Sequence, residues 1–209
     1  MRARRTGALV VVGLLLSTAG CAQLLLQEET EFVAEGATLE EPERAGYTHN
    51  ASEWQNVTRS VGAAGQEREV TVSNRAERYV SRTEDGTPGA AVTVVSSPGI
   101  RVAGEQLSPV ADWSQRDLLL RFSEGFDPYG NVTAVEERET EEVRMLGTES
   151  NMRVFNATLE RDDGESDDVV VSVVKVRHEG DFVVAIGVRG MHGADLAATN
   201  ETLVQRVDH

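Results

Sequence analysis

Residues 169–176 and 182–188 are apolar at nearly every position, and Glu179-Gly180 lies between them. A half-buried strand alternates apolar and polar side chains, so runs that are apolar on both faces read as central strands of a sheet. An acidic residue followed by glycine is hairpin chemistry, which predicts that the two runs pair antiparallel. The pair is expected at 168–177 and 182–189. Asp85-Gly86 with Pro88-Gly89, and Asp163-Gly164, mark further reversals. From about Gly46 onward the periodicity is mainly two, predicting strands over 53–60, 68–74 (continuing towards Val80), 90–97, 131–138, 141–146 and 151–161.

Two segments carry helical spacing instead. Ser114-Gln115-Arg116-Asp117 resembles a capping box, followed by an apolar stripe of Leu118, Leu119, Phe122 and Phe126 before Gly125 and Pro128 intervene. The second covers 194–207, with Leu196, Leu203, Val204 and Val207 facing inward. Tight turns between strands, plus helices needing a sheet face, predict an α+β fold. It is mainly an antiparallel β-sheet with two helices packed on it, forming one domain over 46–209.

The N-terminus has a different character. Arg2, Arg4 and Arg5 precede an apolar stretch, residues 7–20, of about 14 residues, whereas a spanning helix needs roughly 20. Residues 1–20 therefore read as a signal peptide. Ala19 and Gly20 are small enough for a peptidase pocket, and Cys21 follows as the sole cysteine. Lipidation at Cys21 with two chains would anchor the protein stably, and residues 21–45 then form a lipid-anchored lead-in to the domain. The Arg4-Arg5 pair fits twin-arginine export as well as a general secretory signal. With a single cysteine no internal disulfide can form, so stability must come from a packed core.

Charge bounds the partners. Removing residues 1–20 takes away three arginines and no acid, moving the formal net charge from −15 to −18. Lys175 is the only lysine, against 19 arginines. An acidic, lysine-poor surface suits molar salt, where the Debye length is only about 3 Å and self-repulsion is screened. No basic stripe exists to neutralise phosphates, so no nucleic-acid partner is expected. Five of the seven asparagines open an Asn-x-Ser/Thr sequon: Asn50, Asn56, Asn131, Asn156 and Asn200. They are the glycosylation candidates of an exported chain, and Asn156 belongs to a strand whose Asn156, Thr158, Glu160 face is expected to meet solvent.

Catalytic signatures are absent: no Gly-x-Ser-x-Gly elbow, no His-Glu-x-x-His, no P-loop. The glycines between Gly187 and Gly193 read as a strand connection, and the acidic run from Asp162 to Asp168 as a solvated hairpin. His49, His178, His192 and His209 are scattered without ligand spacing, so no metal or cofactor is expected. The stretch 97–113 has length to spare, with Pro98, Gly99, Gly104 and Pro109 shaping it. It is a candidate binding loop through Gln106 and Trp113.

Glu31-Phe32-Val33-Ala34, Gly46-Tyr47, residues 70–79, Ser97-Pro98-Gly99 and Gly104-Glu105-Gln106-Leu107-Ser108-Pro109 occur in that order. Leu146-Gly147, Phe182-Val183-Val184 and Val207-Asp208-His209 follow. Together they resemble a family of secreted haloarchaeal lipoproteins without an assigned activity. The fold reading is also similar, at a distance, to Mog1/PsbP-type domains. The resemblance implies an archaeal surface lipoprotein with no activity or catalytic residues to carry over. Joined to the charge and the sequons, it leads to the expectation of a glycosylated, halophilic lipoprotein on the extracytoplasmic face of the cell membrane. There it would act as a non-enzymatic binding or accessory module for a protein or small-molecule partner. The alternatives are a small extracytoplasmic enzyme built from scattered acids, or a structural component of the envelope.

Overall fold

The computed structural model describes residues 29–63, 66–84, 86, 88–102, 104–123, 131–160, 164–190 and 204–209. Its elements are β1 (Glu29–Val33), β2 (Thr38–Leu39), β3 (Thr48–Ala63), β4 (Gln66–Arg82), β5 (Pro88–Pro98), β6 (Arg101–Val102) and β7 (Glu105–Gln106). They continue with α1 (Gln115–Ser123), β8 (Asn131–Met145), β9 (Thr148–Glu160), β10 (Ser166–His178), β11 (Asp181–Gly190) and β12 (Val207–Asp208). Short 3-10 turns occupy Pro42–Ala45 and Pro109–Ala111.

Eight strands form one sheet in the order β1-β4-β5-β11-β10-β9-β8, with β3 along the other side of β4. The apolar hairpin lies in its middle: β10 pairs β11 from Val169↔Gly190 to His178↔Asp181. Its turn has positive φ at both central residues, Glu179 at 46° and Gly180 at 104°, matching the right-handed twist of the strands it joins. β1 runs parallel to the first half of β4, so the sheet is mixed rather than purely antiparallel.

Both faces of the central strands are covered, which is why neither face alternates with polar residues. On one face Leu118, Leu119 and Phe122 of α1 pack on Val171, Val173, Val184 and Ile186. The helix begins where its cap predicts. Ser114 Oγ accepts from the Asp117 N–H at 3.2 Å, while Asp117 Oδ2 accepts from the Ser114 N–H at 3.1 Å. The opposite face, with Val174, Val176, Val183 and Ala185, lies under Ala37, Leu39, Tyr47, Val204 and Val207.

That second cover corrects the expected fold class. The arrangement of two helices on a sheet, with its distant Mog1/PsbP likeness, is not what forms. The molecule is mostly strand, and α1 is the one α-helix whose full span is described. Residues 194–203 of the second expected helix lie outside the described residues. Val204 and Gln205 are helical as expected, with Val204 packed on the second face, whereas the last expected residue, Val207, opens β12, paired antiparallel with β2. The helical spacing of Val204 stops short of Val207, a β-branched valine that gains more from the ladder with β2 than from another helical turn. The lead-in 21–45 likewise supplies β1 to the sheet and Ala37 and Leu39 to the core. Residues 131–146, read as two strands, form the single strand β8 with irregular register after Thr133 and Glu137. No described helix is long and apolar enough to cross a membrane.

Candidate functional site

The turn between β10 and β11 sets His178 and Asp181 directly opposite each other, on the face that carries Val176 and Val183. β12, held by β2, delivers His209 to the same place. The rings of His178 and His209 meet edge to face, centroids 5.6 Å apart at 82°. The His209 side chain is 0% exposed. Its Nε2 lies 3.3 Å from Asp181 Oδ2, and its Nδ1 is buried without a hydrogen-bond partner. Asp181 Oδ2 also accepts the Glu35 N–H at 3.1 Å. Glu179, exposed at the turn, approaches His178 Nε2 at 3.9 Å. One ligand-competent atom from each of His178, Glu179 and His209 lies within 4.8 Å of the others.

The turn is held from β5. Gly99 N–H donates to Gly180 O at 2.8 Å, and Arg177 Nη2 donates to Gly99 O at 3.2 Å. A Cβ on Gly99 would sit 2.3 Å from Gly180 O, so only glycine permits this approach. Two histidines expected to be scattered are thus brought together from the end of β10 and the residue after β12. His49 lies elsewhere, and His192 is outside the described residues.

His49 belongs to a second polar cluster. The Glu77 carboxylate, 3% exposed, accepts from Ser52 Oγ at 2.6 Å and Arg75 Nε at 2.6 Å, and lies 2.7 Å from His49 Nε2. Burial pushes the Glu77 pKa up, but the hydrogen bonds from Ser52, His49 and Arg75, with the Arg75 charge, outweigh it and leave a net lowering. Serine, histidine and a carboxylate invite comparison with a nucleophile triad. A relay needs the acid on one ring nitrogen and the hydroxyl on the other. Here Ser52 and Glu77 both face His49 Nε2, and both Ser52 and His49 face the same Glu77 oxygen. The cluster neutralises a buried charge.

The stretch 97–113 folds into β6, β7 and a 3-10 turn, with Leu107, Ser108, Pro109 and Val110 buried. Trp113 packs against the α1 core, edge to face with Phe122 at 6.3 Å and under the Arg121 guanidinium at 4.3 Å. Gln106 is half-buried, its Nε2 without a partner. Lys175 Nζ reaches across to donate to the carbonyls of Val110, Ala111 and Trp113 at 3.1, 3.1 and 2.7 Å. Burial lowers its pKa, against the opposing charge of Asp112. The only lysine therefore fastens this stretch to the sheet.

Among the sequons, Asn50 and Asn56 on β3 and Asn131 at the start of β8 are exposed. Asn156 on β9 is half-buried with its Oδ1 enclosed and without a partner. Cys21 and Asn200 lie outside the described residues. An open polar groove of about 480 Å³ at the β8–β9 turn is lined by Glu142, Val143, Arg144, Glu149, Ser150 and Asn151. Its charges are engaged in part, since Arg144 pairs with Glu149 at 2.6 Å.

No curated protein matches the chain. A family described as a domain of unknown function, DUF6517, matches residues 35–208, from the approach to β2 through β12, and the chain belongs to that family.

Proposed function

We propose that this protein is a lipid-anchored module on the extracytoplasmic face of a haloarchaeal membrane, serving as a binding or accessory domain rather than an enzyme. The observation that carries the reading is Cys21, preceded by a basic start, a short apolar run and two small residues. Two features of the fold support it. β1 starts eight residues after Cys21, a span of at most roughly 28 Å even when fully extended. An anchor at Cys21 would therefore hold the sheet close to the bilayer. The exposed sequons Asn50, Asn56 and Asn131 stand on strands where an attached glycan meets solvent.

Replacing the thiol tests the reading. Cys21→Ser removes the atom that would form the thioether, so the variant is expected in the medium while the parent fractionates with membranes. A variant that remains membrane-bound after washing at high pH refutes lipid anchoring.

A further inference from the structure

The pair of imidazoles at the β10–β11 turn has chemistry that the anchoring proposal does not use. We propose that His178, Glu179 and His209 bind a divalent transition-metal ion of the zinc class, with Asp181 as the carboxylate that orients His209. Two imidazoles and a carboxylate select zinc, nickel or copper over calcium or magnesium, which take oxygen donors.

His209 carries the argument. Its ring is enclosed, one nitrogen faces Asp181, and the other has no partner. A buried ring nitrogen left unpaired is costly, and a cation satisfies it. Metal-binding histidines commonly donate their second ring N–H to a carboxylate, which fixes the tautomer and raises ligand basicity. Asp181 is placed for that role and is itself held by the Glu35 N–H. In the ring so fixed, Nδ1 is the free lone pair.

Closure needs little movement. Zinc bonds of about 2.0–2.1 Å require ligand atoms closer together than 4.8 Å. Glu179 is 64% exposed and His178 is 27% exposed, so both can rotate inward. The backbone beneath them is fixed by the hairpin register and the Gly99 contact. Three protein ligands leave a fourth position for water or a donor from outside, on the side where Glu179 meets solvent.

The test uses the full chain carrying Cys21→Ser, so that no thiolate competes and the outcome is independent of anchoring. The protein is stripped with EDTA and titrated with zinc ions against a chromophoric chelator. Molar KCl and excess magnesium are present to occupy exposed acids. One zinc per chain is expected, together with a rise in melting temperature. His178→Ala and Glu179→Gln should each weaken binding by about tenfold or more, and Asp181→Asn by about 10–100-fold. If His178→Ala loses its far-ultraviolet circular dichroism, the exposed Glu179→Gln decides. Absence of saturable binding at one equivalent overturns the site. So does zinc binding that Glu179→Gln and Asp181→Asn leave unchanged, which would place the ion on the acidic surface.

Discussion

A carboxylate enclosed by a β-sheet loses its hydration shell, and Glu77 replaces it with donors from Ser52 and Arg75 and a contact to His49. Because its folded pKa lies below the ordinary 4.5, the unfolded chain takes up this proton first as pH falls. The stabilisation is complete above about pH 4.5 and is lost as pH falls through the lowered folded value. Glu77→Gln should therefore lower stability at neutral pH, with the gap to the parent narrowing towards about pH 3. Denaturant unfolding at fixed molar salt measures this, and a gap constant across that range would refute the account. Such a site was only partly legible in the sequence. Ser114 and Asp117 announce a cap because their bond spans three residues. Glu77 meets Ser52 only through the β3–β4 register, and His209 meets His178 only after β12 pairs with β2.

Strands exposed a similar limit from the other direction. Period-two patterning located the sheet, and the apolar runs located its centre, because burial on both faces writes itself directly into composition. Alternation cannot place the short β2 and β12, whose two residues carry no periodicity, and for that reason the spacing of Val207 predicts helix where the structure has a strand. Nor could alternation alone rank the sequons. Asn156 occupies the polar side of β9 in the pattern, yet β9 is flanked by β8 and β10, and its Oδ1 is enclosed. Asn50 stands at the irregular register of β3, opposite no single partner, and Asn56 is exposed on the same edge strand. Glycans there, and at Asn131 on β8, would also block edge-to-edge pairing of sheets. Glycopeptide mass spectrometry of the protein from its native host is expected to find Asn50, Asn56 and Asn131 occupied and Asn156 bare. An occupied Asn156 with bare edge sites would refute the ranking.

At the scale of the whole molecule, 35 acids face 20 basic side chains. Part of the imbalance lies on β8, where Glu136, Glu137, Glu139, Glu141 and Glu142 fall within seven residues of an edge strand. Arg153 reaches Glu137 at 3.1 Å and Arg138 reaches Glu139 at 3.3 Å, but both are exposed pairs of the kind that contribute little. Attraction between neighbours therefore cannot offset the net repulsion, whereas salt can, since the Debye length shrinks from about 10 Å at 0.1 M to about 3 Å at 1 M. The same charge that keeps the β8 edge from pairing with another sheet makes the folded state depend on screening. The thermal midpoint should rise steadily from about 0.1 M to molar KCl, and NaCl at equal ionic strength should reproduce the curve if screening is the cause. A midpoint indifferent to salt would mean that the apolar layers on the two faces of the sheet hold the fold unaided. A response to one cation alone would point to bound ions instead of screening.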